Sequence, residues 1–185
     1  TISGRVYADD DQSDSFGAGE GIGSVTLTLT GTDLYGNTVS TTVQTAADGT
    51  YTFANLPPSN ATGYTITQTQ PSGYFDYQET AGTASGTVNN ASFGNGASTN
   101  VISGIVLGED EDVTGYEFAD FTEATVSGAI YDDANNNGTR DGGESGIGSG
   151  YAATPHVSLT GTDYAGNTVN LTVSVNGSGA YSFSS

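Results

Sequence analysis

Ser24-Val25-Thr26-Leu27-Thr28-Leu29-Thr30 alternates apolar and hydroxyl side chains, and after Tyr35-Gly36-Asn37 the chain resumes as Thr38-Val39-Ser40-Thr41-Thr42-Val43. A period of two puts Val25, Leu27 and Leu29 on one face of an extended strand and the threonines on the other. Gly36 and Asn37 tolerate positive φ, so the interruption reads as a hairpin turn. Working outward, the same alternation predicts strands over residues 1–7, 24–30, 38–45, 50–54, 64–69, 101–107 and 113–121. Asp48-Gly49 reads as a second hairpin turn, and Pro57-Pro58 and Pro71-Ser72-Gly73 break the chain between strands. No window holds a helical period. Short strands with this punctuation predict an all-β fold, an antiparallel sandwich.

The composition narrows function. Net charge is −19 because basic residues are nearly absent: Arg5 and Arg140 are the only two in 185 residues. Such a chain offers no phosphate contacts, which argues against nucleic acid and anionic membrane as partners, and it attracts divalent cations. Cysteine is absent, so disulfides and thiolate metal sites are excluded. Methionine is absent even at position 1, as expected of a mature or excised segment, and no signal peptide or membrane-spanning run occurs.

The chain repeats itself. Ile2-Ser3-Gly4-Arg5-Val6-Tyr7 returns as Val126-Ser127-Gly128-Ala129-Ile130-Tyr131, and Gly21-Ile22-Gly23-Ser24 as Gly146-Ile147-Gly148-Ser149. Leu29-Thr30-Gly31-Thr32-Asp33 returns as Leu159-Thr160-Gly161-Thr162-Asp163, Gly36-Asn37-Thr38-Val39 as Gly166-Asn167-Thr168-Val169, and Tyr51-Thr52-Phe53 as Tyr181-Ser182-Phe183. The spacing grows around residues 150–155, which read as a loop insertion. Two domains are expected: residues 1–122 as a complete sandwich and 123–185 as the front part of a second. The second is either truncated or completed by another segment or chain, which would make a filament.

Between the first two strands of the second copy lies Asp133-Ala134-Asn135-Asn136-Asn137-Gly138-Thr139-Arg140-Asp141-Gly142-Gly143-Glu144. It fits the twelve-residue calcium-loop pattern at every fixed position. Asp133, Asn135 and Asn137 supply short inward oxygens at positions 1, 3 and 5, and Gly138 permits the sharp turn. Thr139 offers its carbonyl at position 7, Asp141 sits at the water-bridged position 9, and Glu144 can chelate with both oxygens. Aligned to it, residues 9–20 keep positions 1, 3 and 12 as Asp9, Asp11 and Glu20, with Ser13 and Ser15 at positions 5 and 7. Asp14 replaces the position-6 glycine and Gly17 brings no carboxylate to position 9, so this site is expected to bind calcium more weakly or with a different ligand set. Asp110 and Asp112, in the acidic turn 108–112, are possible additional metal ligands.

Tyr131-Asp132-Asp133 with the loop and Gly146-Ile147, Gln70-Pro71-Ser72-Gly73-Tyr74, Ile102-Ser103-Gly104-Ile105-Val106-Leu107 and Thr114-Gly115-Tyr116-Glu117-Phe118 together resemble the B repeats of bacterial serine-aspartate-repeat surface proteins, relatives of the collagen-adhesin B-type modules. The resemblance implies tandem immunoglobulin-like or prealbumin-like Greek-key sandwiches with calcium loops after the first strand. It also implies a secreted, cell-surface stalk or adhesin spacer. Some related modules carry a lysine-to-asparagine isopeptide crosslink; with no lysine in this chain that bond is excluded.

The expected role is therefore a calcium-stabilised structural repeat of an extracellular bacterial stalk, adhesin or fibre. Its partners would be neighbouring copies, with host or glycan ligands bound through other domains. The three-residue link 122–124 disfavours free hinging, and in a tandem array the calcium loop of one domain is expected to face the acidic turn of the next. A glycan- or protein-binding module is the alternative, which would use Tyr74, Phe75 and Tyr77 beside Asp76 as an exposed sugar platform; packing at a sandwich edge is the expected role of these aromatics. Catalysis is not expected. His156, the lone histidine, follows Pro155 in the insertion, and without Cys or Lys the usual nucleophile and base arrangements are largely missing.

Overall fold

The computed structural model describes residues 1–11, 13–90, 100–122, 124–148, 150, 153–163, 166 and 168–184. Glu123 of the short link, Tyr151 and Ala152 of the insertion, and Ser149 and Asn167 of the repeat fall outside them. The described chain is all-β, and no helix in it is long and apolar enough to cross a membrane. It divides into two compact units, Thr1–Thr122 and Glu123–Ser185.

Unit 1 holds β1 (Ile2–Ala8), β2 (Thr26–Thr32), β3 (Thr38–Gln44), β4 (Thr50–Phe53), β5 (Tyr64–Gln68), β6 (Tyr74–Thr80), β7 (Thr87–Val88), β8 (Val101–Ile105) and β9 (Val113–Thr122). They form a four-stranded sheet in the order β4-β1-β9-β6 and a five-stranded sheet in the order β3-β2-β5-β8-β7. The inward faces share one core. Ile2, Val6, Phe53, Tyr116 and Phe118 from the first sheet meet Leu27, Leu29, Tyr64, Ile66, Ile102 and Ile105 from the second, all buried. Leu27 and Leu29 are the alternating residues of the opening stretch, and burying each contributes about 1.5–3 kcal/mol. The architecture is consistent with a β-sandwich.

Two features of the ladder differ from simple hairpin reading. Asp48-Gly49 does turn the chain, with Ala46 N–H donating to Thr50 O at 2.8 Å, but β3 and β4 lie in different sheets, so the turn carries the chain across the sandwich. β1 and β9 run parallel, Ile2 opposite Val113 and Ala8 opposite Asp120. Both therefore run from the acidic turn at 108–112 toward the loop at 9–20. Their approach depends on Gly4: a Cβ there would lie 1.7 Å from Tyr116 O, the carbonyl that accepts the Tyr51 hydroxyl at 2.8 Å.

β6 was not anticipated. Its inward positions carry Asp76 and Glu79, opposite Asp120 and Phe118 of β9, so the strand lacks an apolar stripe. Of the aromatics on it, Tyr77 is buried and Tyr74 and Phe75 are half-buried. Asp76 and Tyr77 are 3 % and 6 % exposed, and Tyr77 lies against Phe121 with ring centroids 4.2 Å apart.

Unit 2 holds β10 (Thr125–Ala129), β11 (His156–Thr162), β12 (Thr168–Ser174) and β13 (Ala180–Ser184). β10 pairs with β13, Val126 opposite Phe183, as β1 pairs with β4, Ile2 opposite Phe53. β11 pairs with β12, Val157 opposite Val173, as β2 pairs with β3, Leu27 opposite Val43. Bridges Tyr7–Gly21 and Tyr131–Gly146 correspond likewise. Burial does not: Ile2 is 0 % exposed and Val126 is 48 % exposed. His156 is the exposed first residue of β11 rather than part of a loop.

Candidate metal centre

Both twelve-residue loops follow the first strand of their unit and close on the same hydrogen bonds. In loop 9–20, Ser13 N–H donates to Asp9 Oδ1 (2.9 Å) and Asp11 Oδ1 (3.1 Å), and Asp14 N–H donates to Asp9 Oδ2 (2.9 Å). In loop 133–144, Asn137 N–H donates to Asp133 Oδ1 and Asn135 Oδ1 (both 3.0 Å), and Gly138 N–H donates to Asp133 Oδ2 (2.8 Å). The glutamate at position 12 accepts from the position-9 N–H in each, Gly17 to Glu20 and Asp141 to Glu144. Position 6 takes the left-handed conformation in both, φ +55° at Asp14 and +75° at Gly138. Aspartate is among the few non-glycine residues that reach that region readily, which is why the substitution leaves the loop intact.

The loops differ in what surrounds them. Asp14 turns its carboxylate outward, accepting from the Tyr77 hydroxyl and from Gln78 Nε2 (3.3 Å) on β6. Phe16, at position 8, lies edge-on to Tyr7 at 5.8 Å, and the Arg5 guanidinium sits 4.0 Å above its ring. Such a stack contributes about 0.5–1 kcal/mol at an exposed site. Loop 9–20 is thereby clamped to the outer face of the four-stranded sheet, and Asp9 N–H donates to Asp120 O (2.8 Å). Asp10 caps the end of β9, accepting from Thr122 N–H (2.9 Å) and its hydroxyl (2.8 Å). The position-8 residue of the second loop is Arg140, which donates to Ser178 O at 3.4 Å, and residues 133–144 stay largely exposed.

This clamping concentrates charge. Among the described residues, Asp9, Asp11 and Glu20 form the group whose three carboxylates each bring an oxygen within 4.8 Å of the others. Asp9 is 0 % exposed. Burial pushes its carboxyl above the ordinary range, against the pull of the Ser13 and Asp14 amides, and neighbouring Asp11 raises it further. Asp11 is held below that range, chiefly by the Ser13 hydroxyl. Gly17 matters by what it lacks, since a Cβ there would sit 2.9 Å from the Glu20 carboxylate. Ser13 Oγ lies 2.9 Å from Ser15 O, which brings the position-5 and position-7 oxygens together too. An all-oxygen set with a buried carboxylate and no cationic side chain within it fits a hard metal ion, and the cluster can hold one.

The better sequence match is the less gathered site. Asp133, Asp141 and Glu144 do not form a second such group. Asn135 Nδ2 and Asn137 Nδ2 both donate to Asp141 Oδ2 at 2.7 Å, and Ala134 N–H donates to Glu144 Oε1 at 3.1 Å. The acidic positions of this loop are 1, 9 and 12, whereas those of the first loop's triad are 1, 3 and 12. Thr139 N–H is tied to Asn137 Oδ1 (2.7 Å), its carbonyl being the position-7 donor. Asp110 and Asp112 join no carboxylate triad; Asp112 accepts from the Thr1 hydroxyl at 2.7 Å, and Asp110 is exposed. No protein-family model matches the chain, and a search of curated proteins finds no match.

Proposed function

We propose that the chain is a calcium-stabilised structural segment of an extracellular bacterial stalk, adhesin or surface fibre, built from tandem immunoglobulin-like repeats and acting as a spacer. The observation that carries this reading is the pair of loops closed by the same hydrogen bonds at the same point after the first strand, one holding a gathered, partly buried carboxylate triad. Asp9, Asp11, Glu20, Ser13 and the Ser15 carbonyl would hold calcium in unit 1. Asp133, Asn135, Asn137, Asp141, Glu144 and the Thr139 carbonyl would do so in unit 2. Bound calcium supplies the positive charge the chain lacks.

The physics favours a staple over a sensor. Each loop joins two strands, so its ordering fixes the sandwich end rather than the angle between two helices. Neighbouring copies of the repeat are the proposed partners, and the apolar face left exposed at Val126 would be covered by strands equivalent to β5, β6, β8 and β9. Extracellular calcium modules have Kd of about 10⁻⁴–10⁻³ M, so such sites fill outside a cell and empty in its cytosol. Pulling single chains in calcium and in chelator tests the mechanical role. The expected result is a higher unfolding force in calcium for unit 1, lowered by Asp9→Ala. Equal forces in both conditions would remove the stalk reading.

A further inference from the structure

The strands that end the two sheets of unit 1 are β4 and β6 in one and β3 and β7 in the other. An edge strand offers a row of free N–H and C=O groups to any other chain, and folded proteins blunt it by shortness, charge, bulges or a covering segment. Three of these edges carry such a device. On β6 the register shifts between Asp76 and Gln78, and the Asn90 side chain takes both main-chain groups of Glu79. Asn90 Oδ1 accepts from the Glu79 N–H and Nδ2 donates to the Glu79 carbonyl, each at 2.9 Å. β7 is two residues long. β4 is four residues long, and Asp48 Oδ1 accepts its first N–H, that of Thr50, at 3.1 Å.

β3 carries none of these. Among the described residues no strand pairs with its far side. Thr38-Val39-Ser40-Thr41-Thr42-Val43-Gln44 contains no charge, proline or glycine, and its register with β2 runs unbroken from Thr26 opposite Gln44 to Thr32 opposite Thr38. The absence of charge extends beyond the strand: residues 34–47 hold no acidic or basic side chain, in a chain of net charge −19. Two copies repel wherever their carboxylates meet, so a charge-free edge is where a second copy approaches at least cost. The turn before β3 leaves Leu34 and Tyr35 58 % and 73 % exposed, which adds apolar surface beside that edge. The strand is also self-complementary. Antiparallel pairing about Thr41 sets Val39 against Val43, Ser40 against Thr42, and Thr41 against itself. Val39 and Val43 already pack at the margin of the core, so each copy would extend the other's apolar row on one face and its hydroxyl row on the opposite one. Ser158 Oγ and Thr172 Oγ1, 2.9 Å apart across β11 and β12, make the kind of contact that Ser40 and Thr42 would make.

We propose that β3 is a lateral interface at which two copies of this chain join edge to edge, antiparallel about a two-fold axis through Thr41, so that their five-stranded sheets become one continuous sheet. The contact adds side-to-side association to the tandem contacts proposed above. It uses no residue of either calcium loop, so it stands or falls apart from the metal reading. One such strand pair is a small, weak interface, and copies arrayed along a stalk would multiply it.

The test is a disulfide trap in the full chain, which has no cysteine of its own. Opposed residues of an antiparallel pair have Cα atoms about 4.5–5.5 Å apart, within the span of a disulfide. Thr41→Cys should therefore oxidise to a covalent dimer, whereas Thr52→Cys, also exposed but on the β4 edge, should stay monomeric. Equal dimer yields from the two variants, or none from either, would overturn the proposal. Sedimentation equilibrium of the unaltered chain at up to about 1 mM should show a reversible dimer. Its association should strengthen about tenfold from about 0.01 M to about 1 M salt, as the screening length falls from about 30 to about 3 Å. Thr41→Glu sets like charges face to face and should abolish that dimer, while Thr52→Glu, the same change in net charge, should leave it. A chain that stays monomeric throughout, or a dimer insensitive to Thr41→Glu, would contradict the β3 interface.

Discussion

Asp9 and Asp133 open loops with matching hydrogen bonds, and the residue that separates them is at position 8. Phe16 packs between Tyr7 and Arg5, while Arg140 reaches toward solvent and a single carbonyl. Phe16 is therefore a positioning residue for the carboxylates. Phe16→Ala should weaken calcium binding at loop 9–20 about tenfold while removing no ligand, in line with the cost of losing outer supports around a metal. Titration of Asp133→Ala with and without Phe16→Ala checks this, and an unchanged affinity would show that the loop orders itself. Gly4 is the backbone counterpart. Gly4→Ala drives a methyl onto Tyr116 O and should cost at least about 1–3 kcal/mol in urea denaturation. Gly161→Ala, where nothing lies within 4 Å, should change stability by less than about 0.5 kcal/mol.

At the scale of elements, the β2–β3 hairpin has its own staple. Asp33 Oδ1 accepts from Tyr35 N–H (2.9 Å) and Asn37 N–H (2.8 Å), and Oδ2 accepts from Asn37 Nδ2 (2.9 Å). The Asn37 amide side chain first, then the backbone donors, hold the carboxyl below its ordinary value. A depressed folded-state pKa contributes stability that is present above the unfolded value, near 4, and is lost as pH falls through the folded one. Asp33→Ala should therefore lower the melting temperature at pH 6 and approach wild type as the pH falls through the lowered folded-state value; a pH-independent difference would point to packing instead. Tyr77 makes a second element-scale test. Tyr77→Ala should cost roughly 3 kcal/mol by emptying the contact with Phe121, whatever sugar is present.

What was legible follows from these elements. Strands β1 to β5, β8 and β9 lie within a residue or two of where alternation put them, because their inward residues are apolar. β6 was hidden because its inward positions are Asp76 and Glu79, side chains that normally mark a solvated segment. The two-residue β7 is too short to carry a period. The loop pattern at 133–144 ranked the sites by motif fit, but the loop at 9–20 is flanked by Phe16, Tyr77 and Asp120, residues outside any ligand pattern. No local signal separates a turn within one sheet from one that crosses between sheets, which is why Asp48-Gly49 read as a hairpin.

For the whole molecule, a chain of net charge −19 with no cysteine and no lysine has few means of holding itself together beyond packing. Self-repulsion opposes the compact state, and the carboxylates gathered at residues 9–20 add to it locally. Divalent ions are the counterweight this account assigns. At a hundredfold excess over Kd, one site contributes about 2.7 kcal/mol. For a domain of this size that corresponds to roughly 10 °C in melting temperature. The most direct measurement is thermal melting of the intact chain, stripped of metal, across a calcium titration. The account predicts a saturable rise of that order for unit 1, much reduced in Asp9→Ala; a melting temperature independent of calcium would contradict it.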